Sequence, residues 1–355
     1  MRQTPLLDEH KALGGKVIDF SGWALPVQFA GILQEHRHTR SRASIFDCSH
    51  MGEFRIQGRE AIEAYDALIT TDTGRIRPGR ARYGALLTED GGYMDDLITM
   101  RLGDDELFVV TNAGSLDRVS AVFASQVPGL VDESAETAKI DIQGPLSREI
   151  LVSIGLAAAA ALSYFGLAQT EWAGYPVLLS RTGYTGELGY ELYLPNAAAV
   201  PLWRRLLDHP AVAPAGLGAR DTLRLEMGYL LSGQDIDESR TPLEARQDVF
   251  IDWHKPFTGR DALQKQRDAG GYAVLTPIRT DSRSAPRHGF DVYRGDETVG
   301  VVTSGTYGPS VERGIGLAYL PPELAEPGVA LTAGPRQMAI EVTEIPFYGA
   351  GTCRN

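Results

Sequence analysis

Three apolar, strand-like segments follow one another at residues 83–87, 94–100 and 107–110 of this chain. A segment with helical spacing of its apolar residues precedes them at 60–68, and another follows them at 115–124. Helix, strands and helix within so short a stretch predict a compact α+β unit that is built on an antiparallel sheet.

The same order of elements begins again near Ala138, where the segment AKIDIQG is strand-like. Beyond it we predict helices at 147–154, 197–207 and 219–231. We also predict strands at VLLSRTGYTG and YELYL. The alanine run around 156–162 also indicates a helix. After about residue 255, more frequent Pro and Gly and short strand-like segments predict an all-β terminal domain.

Size, charge and cysteine content limit the functions open to this chain. Its 355 residues suffice for two or three domains, and its formal net charge of -12 disfavours binding to nucleic acid or an anionic membrane. Cys48 and Cys353 lack the spacing of a disulfide framework or a zinc site, and the histidines are expected on the surface. With neither a signal segment nor a membrane span, we expect a cytoplasmic protein without a metal site.

Two adjacent carboxylates interrupt the strand-like segment GGYMDDLITM. Successive side chains of a strand point to opposite faces, so Asp95 and Asp96 cannot both face the same space. One of them is expected in an apolar or ligand-lined space, where an ionised group is costly unless something holds it. The alternative is a hairpin in which both aspartates are solvated near the turn.

The segment RTGYTGELGYEL combines three glycines with a carboxylate between aromatic residues. It is not a phosphate-binding loop, because the strand YELYL follows where such a loop requires a helix. The glycines allow close approach of a ligand, and Glu191 shares a strand face with Tyr193. A fixed carboxylate beside aromatic rings suits a flat heterocycle with two parallel N–H donors. The alternative reading of Glu191 is an exposed strand residue.

The segment GLGARDTLRLE places two arginines four residues apart on one predicted helix. Arg220 lies near the helix N-terminus, where the helix dipole does not favour a cation. An anionic or carbonyl-rich partner would explain its position, and so would the nearby Asp221 or Glu226. No G-x-S-x-G, H-E-x-x-H or Walker sequence occurs, which disfavours the common hydrolase and NTPase mechanisms.

Seven segments carry a family resemblance when they are taken together. In chain order they are TPLLDEHKALGGKVIDFSGWALPVQF, FDCSHMGEF, GGYMDDLITM, SRTGYTGELGYEL, GLGARDTLRLE, LLSGQDIDE and VVTSGTYGPS. Their order and their spread over nearly the whole chain closely resemble the T protein of the glycine cleavage system, a family of tetrahydrofolate-dependent aminomethyltransferases.

The resemblance implies an α+β fold of three domains arranged as a cloverleaf. Two α/β domains with antiparallel sheets and a C-terminal β-rich domain would surround a central folate channel. The first domain would be discontinuous, with residues 1–52 and 137–245, and would bind folate. The second, inserted at 53–136, would carry Asp96, and the third would be 246–355.

The resemblance also implies a role for particular residues. Asp96 matches the catalytic aspartate beside the reactive nitrogens of folate, and Asp95 would face the other side of the strand. Glu191 matches the carboxylate that holds the pterin edge, and Arg220 matches an arginine that faces the channel. The remaining expected folate-site positions are Met51, Tyr83, Asn112, Tyr184 and, in the variable tail, Tyr348.

In that family, a lipoyl-bearing carrier, the H protein, presents an aminomethyl group. Its one-carbon unit passes to tetrahydrofolate and ammonia is released. This chain departs from the family pattern after TPLEA, where Gly-Leu-Gly-Trp is replaced by RQDV at 246–249. The departure leaves an alternative open: a tetrahydrofolate-dependent demethylase of a small methylated amine, sulfonium or methoxy compound.

A third reading is a folate-binding helper without transfer chemistry, like the iron–sulfur assembly relatives of this fold. Those relatives carry Lys-Gly-Cys-Tyr where this chain has PFTG at 256–259. The missing cysteine and the presence of Asp96 disfavour this reading.

Overall fold

The computed structural model describes residues 1–355. The helices are α1 Leu7–Ala12, α2 Ile32–Ser41, α3 Arg59–Asp66, α4 Leu116–Gln126, α5 Ser147–Ser153, α6 Asn196–Leu207, α7 Leu217–Glu226 and α8 Arg260–Ala269. Short 3₁₀ turns lie at Thr73–Arg75, Ala157–Ala160, Asp248–Phe250 and Pro322–Leu324.

The strands of the first half are β1 Lys16–Phe20, β2 Trp23–Gln28, β3 Ala43–Asp47, β4 Gly52–Gln57, β5 Arg80–Leu87, β6 Tyr93–Gly103, β7 Glu106–Thr111, β8 Val131–Asp132 and β9 Thr137–Gln143. Those of the second half are β10 Leu167–Trp172, β11 Tyr175–Ser180, β12 Gly189–Pro195, β13 Val212–Pro214, β14 Val274–Arg279, β15 Asp291–Arg294, β16 Glu297–Gly308, β17 Arg313–Leu320, β18 Ala330–Ala333 and β19 Met338–Val342.

The first large sheet has the strand order β10-β11-β12-β9-β3-β13 and joins parts of the chain that are far apart in sequence. β3 pairs antiparallel with β9, with Ser44 opposite Gln143, and only β13 runs parallel to its neighbour. Alternate residues of β9 and β12, including Ile140 and Leu192, pack with Trp203 of α6 in the largest hydrophobic cluster.

The second sheet, β5-β6-β7-β4-β8, is formed by the segment between β3 and β9. One of its faces packs against α3 and α4, where Phe123 makes edge-to-face contacts with Phe54 and Tyr65. The other face meets the first sheet, since the rings of Phe108 on β7 and Tyr193 on β12 lie 5.3 Å apart. The two sheets therefore share an apolar boundary.

The C-terminal third forms a closed antiparallel barrel with the order β14-β17-β16-β15-β18-β19. Its interior holds a hydrophobic cluster with members from every strand, among them Ile278, Val302 and Ile340. The predicted β-rich C-terminal domain is confirmed, but the prediction of an all-β end after about residue 255 was wrong at the helix α8, which precedes the barrel. We propose to place domain boundaries at 52/53, 136/137 and 245/246, because each resulting domain then contains one of these sheets, apart from Gly52, the first residue of β4.

Several local predictions were wrong. The alanine run forms only the 3₁₀ turn Ala157–Ala160, and α7 ends at Glu226 rather than near Leu231. Gly228 has a φ of +72°, a left-handed conformation that ends the helix. The strand predicted through VLLSRTGYTG ends at Ser180, so the glycine segment is a loop.

The expectation of surface histidines was also wrong. His10 and His36 are fully buried and His50 is nearly so. Nε2 of His10 lies 2.7 Å from Asp47 Oδ2, and burial lowers the pKa of His50 to about 4. No helix of the structure has the length and apolar character that a bilayer span requires.

A buried ion pair connects α7 to the barrel. Arg224 donates to Asp235 Oδ2 at 2.7 Å and to Ser304 Oγ at 2.8 Å. The other oxygen of Asp235 accepts a 2.6 Å hydrogen bond from Thr303 of β16. Both charges are fully buried, and Asp235 is the buried counter-charge of Arg224, which also contacts the half-exposed Asp221 at 2.8 Å.

We expect Asp235→Ala to lower the free energy of unfolding by about 3–5 kcal/mol, because it removes the only buried counter-charge of Arg224 and leaves the half-exposed Asp221 as its remaining ionic partner. Urea denaturation measures the effect. The matched control is Glu238→Ala, which removes an exposed pair with Arg118 and should cost about 1 kcal/mol or less. Equal losses for the two variants would contradict the assignment.

Candidate active site

Asp95 and Asp96 lie at the start of β6, and their side chains separate as predicted. Asp95 is fully buried on the face that also carries Leu97 and Thr99. Asp96 is partly buried on the opposite face, with Ile98. The interpretation that both aspartates are solvated at a turn is therefore wrong.

Asn112, directly after β7, bridges the two carboxyl groups. Its Nδ2 lies 2.9 Å from Asp95 Oδ1 and 2.7 Å from Asp96 Oδ1, and its backbone N–H donates to Asp95 Oδ2 at 2.8 Å. Ser232 donates a further hydrogen bond to Asp95 at 2.9 Å. One amide therefore fixes the orientation of both carboxyl groups.

The environment raises the pKa of both aspartates. Burial and then the negative charge of Asp96 raise the pKa of Asp95 to about 7. Burial raises the pKa of Asp96, and hydrogen bonds from Tyr83 and Asn112 oppose that rise. Since ionisation of one carboxyl group disfavours ionisation of the other, Asp96 accepts a proton more readily than a surface aspartate does.

Tyr83 on β5 connects Asp96 to the segment that departs from the family pattern. Its ring lies edge-on to that of Phe250, with 4.7 Å between centroids. Phe250 ends the 3₁₀ turn that contains Asp248 and Val249, two of the four altered residues. An aromatic side chain thus remains in this segment although the tryptophan expected at 249 is absent. Arg246 has a φ of +54°, at the position where the family pattern has glycine.

Glu191 on β12 is buried rather than an exposed strand residue. Its Oε2 accepts hydrogen bonds from Tyr193 at 2.7 Å and from Thr182 at 2.9 Å. Its Oε1 lies 3.3 Å from Nζ of Lys139, which supplies the counter-charge. The carboxylate is therefore held in one orientation beside an aromatic ring.

Arg220 has its partner in neither Asp221 nor Glu226. It donates instead to Oδ2 of Asp141 at 3.1 Å, and the other oxygen of Asp141 lies 2.7 Å from Lys139 Nζ. These two cations keep the pKa of the fully buried Asp141 below its ordinary value although burial itself acts to raise it. The pair Arg220–Asp141 thus continues the charged cluster of Glu191.

Tyr184 connects the Glu191 cluster to the aspartate pair. Its ring lies 4.8 Å from the guanidinium of Arg220, and its hydroxyl donates to the carbonyl of Leu230. Burial raises the pKa of Tyr184, and the charge of Asp96 adds to the rise. Asp96 and Arg220 therefore act electrostatically on the same phenol.

Met51 and Tyr348 occupy different surroundings. Met51 is partly buried and packs against two hydrophobic clusters, one of which contains Tyr193. Tyr348 stacks on Arg40 at 4.3 Å and donates its backbone N–H to Glu226. The structure brings the predicted residues together, except that Tyr348 belongs to a separate cluster around Arg40.

The packing of neighbouring side chains explains why three positions of RTGYTGELG are glycine, and the sequence did not reveal this packing. A Cβ on Gly183 or Gly189 would lie 2.1 Å from the amide oxygen of Gln143. A Cβ on Gly186 would lie 2.3 Å from the sulfur of Met227. Close approach of neighbouring side chains, rather than of a ligand, accounts for glycine at these positions.

The family models match almost the whole chain. The GCVT N-terminal domain matches residues 6–255, and the glycine cleavage T-protein C-terminal barrel domain matches 274–349. The chain belongs to the glycine cleavage T-protein family. The resemblance in its seven motifs is thereby confirmed.

Individual T-protein relatives agree over their full lengths. An aminomethyltransferase of Rubrobacter xylanophilus is 43% identical, with 98% of this chain and 94% of the relative covered. One from Halothermothrix orenii is 39% identical, with coverage of 98% and 100%. The crystal structure of the glycine cleavage system aminomethyltransferase T from Bartonella henselae superposes with a TM-score of 0.94, at 30% identity and 99% coverage of both chains.

Sequence reasoning missed two charged residues of the Glu191 cluster, Lys139 and Asp141. The signal was present in AKIDIQG, where polar residues alternate with the buried Ile140 and Ile142. Such alternation predicts a polar face opposite an apolar one. It does not indicate that the polar face is buried, because burial results from the contact with a second sheet.

We expect the Asp95 carboxyl group to make stability depend on pH. Because its pKa lies near 7 in the folded protein and 3.8 is its ordinary value, its stabilising contribution is complete below about pH 4 and is lost as the pH rises through about 7. The loss amounts to about 4 kcal/mol at most. The unfolding free energy of wild type minus that of Asp95→Asn, from urea denaturation, should therefore fall between pH 4 and pH 8. A difference that does not vary with pH would show that ionisation of Asp95 does not cause the pH dependence of stability.

Proposed function

We propose that this chain is the aminomethyltransferase of a glycine cleavage system and that Asp96 carries its acid–base chemistry. The enzyme would convert an aminomethyl-lipoyl carrier protein and tetrahydrofolate into methylenetetrahydrofolate, ammonia and the reduced lipoyl carrier. The observation that carries the proposal is the partly buried Asp96, held by Asn112 and Tyr83, on the sheet face that meets the Glu191 cluster.

Asp96 has the properties of a general base for this reaction. Its raised pKa brings the carboxyl group closer to the pH at which the protein works, which favours reversible proton transfer. As a carboxylate it also stabilises positive charge that develops on a nearby nitrogen. The Asn112 amide holds Asp96 Oδ1 in place, so little reorganisation is needed during reaction.

Glu191 and its partners would hold the flat pterin ring of tetrahydrofolate. Tetrahydrofolate supplies the nitrogens that accept the one-carbon unit. The Glu191 carboxylate presents two acceptor oxygens, and Lys139 balances its charge. Tyr184, Arg220 and Met51 would line the same site. We place Tyr348 at its margin, because that ring contacts Arg40 instead.

The donor would be the lipoyl-bearing H protein. The departure at 246–249 is compatible with this donor, because Phe250 keeps an aromatic ring against Tyr83. Ammonia release separates this function from a demethylase on the same scaffold. A demethylase would release no ammonia from the aminomethylated carrier.

We expect Asp96→Asn to reduce the turnover of ammonia release from aminomethylated H protein by at least about a hundredfold, because it removes the proton acceptor. Binding of tetrahydrofolate should change little. Asp90→Asn, at the exposed tip of the same hairpin, is the control and should retain full activity. Wild-type turnover in Asp96→Asn would exclude the assigned role.

We expect Glu191→Ala to weaken tetrahydrofolate binding more than it slows the saturated enzyme. The substitution removes two acceptor oxygens from a buried site, which corresponds to a loss of about 2–4 kcal/mol in binding. Titration calorimetry and steady-state kinetics measure the two effects separately. Glu191→Gln, which preserves volume, controls for collapse of the cluster around Lys139. Unchanged folate affinity in both variants would remove Glu191 from the site.

A further inference from the structure

Glu53 on β4 is a buried acid that the reaction described above does not use. Its side chain is fully buried, and neither carboxyl oxygen has a hydrogen-bond partner. An unpartnered polar group at such a position costs several kcal/mol in general, so proteins rarely keep one without a purpose. The question is which space this carboxyl group faces.

The register of the second sheet shows which residues share its face. Glu53 lies opposite Val110 of β7, Val110 opposite Ile98 of β6, and Ile98 opposite Tyr83 of β5. These four residues form one row across the sheet, and Asp96 lies two positions before Ile98 on the same face. Glu53 and Asp96 are thus two strands apart and offset by two residues along the strand, a separation of about 12 Å in a regular sheet.

Exposure decreases along this row. Tyr83 and Ile98, at the end near Asp96, are partly buried, whereas Val110 and Glu53 are buried. Glu53 therefore lies at the buried end of the row, and Asp96 lies beside its more exposed end. Arg55, the next residue of β4 on the same face as Glu53, packs over Phe108. The ring of Phe108 contacts Tyr193 of the first sheet.

The charged groups around Glu53 come from both sheets. Lys139 and Glu191 belong to the proposed folate site, and Asp132 and Glu133 lie on the neighbouring edge of the second sheet. Glu133 is engaged by Arg55, and Lys139 by Asp141 and Glu191. Burial raises the pKa of Glu53 well above its ordinary value, and Lys139 only partly opposes the rise. Burial thus favours the protonated form of Glu53, which has one O–H donor and one carbonyl acceptor.

We propose that Glu53 is a second carboxyl group of the pterin site and donates its O–H to the ring carbonyl of the folate. Glu191, with two acceptor oxygens, would take the N–H donors of the same ring. An ionised acid at position 53 could not make this bond. The inference rests on the proposed function and adds a specificity-determining residue to it.

The test compares wild type with Glu53→Met and Glu53→Gln. Binding of tetrahydrofolate, and of its analogue with an amino group in place of the ring carbonyl, is measured by titration calorimetry. Methionine preserves the side-chain length but has no hydrogen-bond donor, whereas glutamine retains one. Glu60→Met, at an exposed position of α3, is the control. Urea denaturation of each protein without ligand reports on stability.

For Glu53→Met we expect about tenfold weaker tetrahydrofolate binding, a smaller preference for the carbonyl ligand, and unfolding at the same or a higher urea concentration. Glu53→Gln should restore most of the affinity. Unchanged affinity in Glu53→Met would overturn the inference. So would parallel loss of affinity and stability in both variants, because that pattern indicates a structural role.

The same measurement separates this inference from the proposed function. If wild type fails to bind tetrahydrofolate, the proposed function fails as well. If wild type binds and the variants do not differ from it, only the role of Glu53 fails.

Discussion

The fully buried Lys139 is the constraint on which the arrangement of the site depends. Its ammonium group is charged in the interior only because Asp141 lies 2.7 Å and Glu191 3.3 Å from Nζ. Asp141 in turn pairs with Arg220, so the cluster joins β9, β12 and α7. Removing any one charge leaves another buried without compensation, which commonly costs several kcal/mol. The carboxylate that we assign to the pterin is therefore positioned by the same interactions that stabilise the fold.

The boundary between the two sheets explains why the site lies where it does. An insertion between β3 and β9 forms the second sheet, and its free face packs on the first through Phe108 and Tyr193. Asp96 and Glu53 project from that face, and Glu191 lies beside Tyr193 on the other. Neither sheet alone contains both Asp96, which we propose as the base, and Glu191, which we assign to the pterin. A ligand bound between the sheets would contact both residues, and this would provide the orientation that transfer between two substrates requires.

The extent of sequence prediction can be judged from particular residues. Strand alternation correctly separated Asp95 from Asp96 and placed Glu191 with Tyr193, because side-chain direction in a strand is a local property. The buried His10 and His36 and the end of α7 at Glu226 were not predicted. Burial of a polar residue depends on partners that are distant in sequence, such as Asp47 for His10. The roles of Asp96, Glu191 and Glu53 remain proposals that rest on these positions.

The sequence by itself determined the α+β class, the β-rich C-terminal domain and the family. These follow from periodicity, turn residues and ordered motifs, all of which are readable along the chain. Only the tertiary structure decided that Asn112 holds both aspartates, that Asp141 rather than Asp221 pairs with Arg220, and that Glu53 is buried without a partner. The physical reason is that strand register and sheet packing, not distance along the chain, determine which charges share a low-dielectric space.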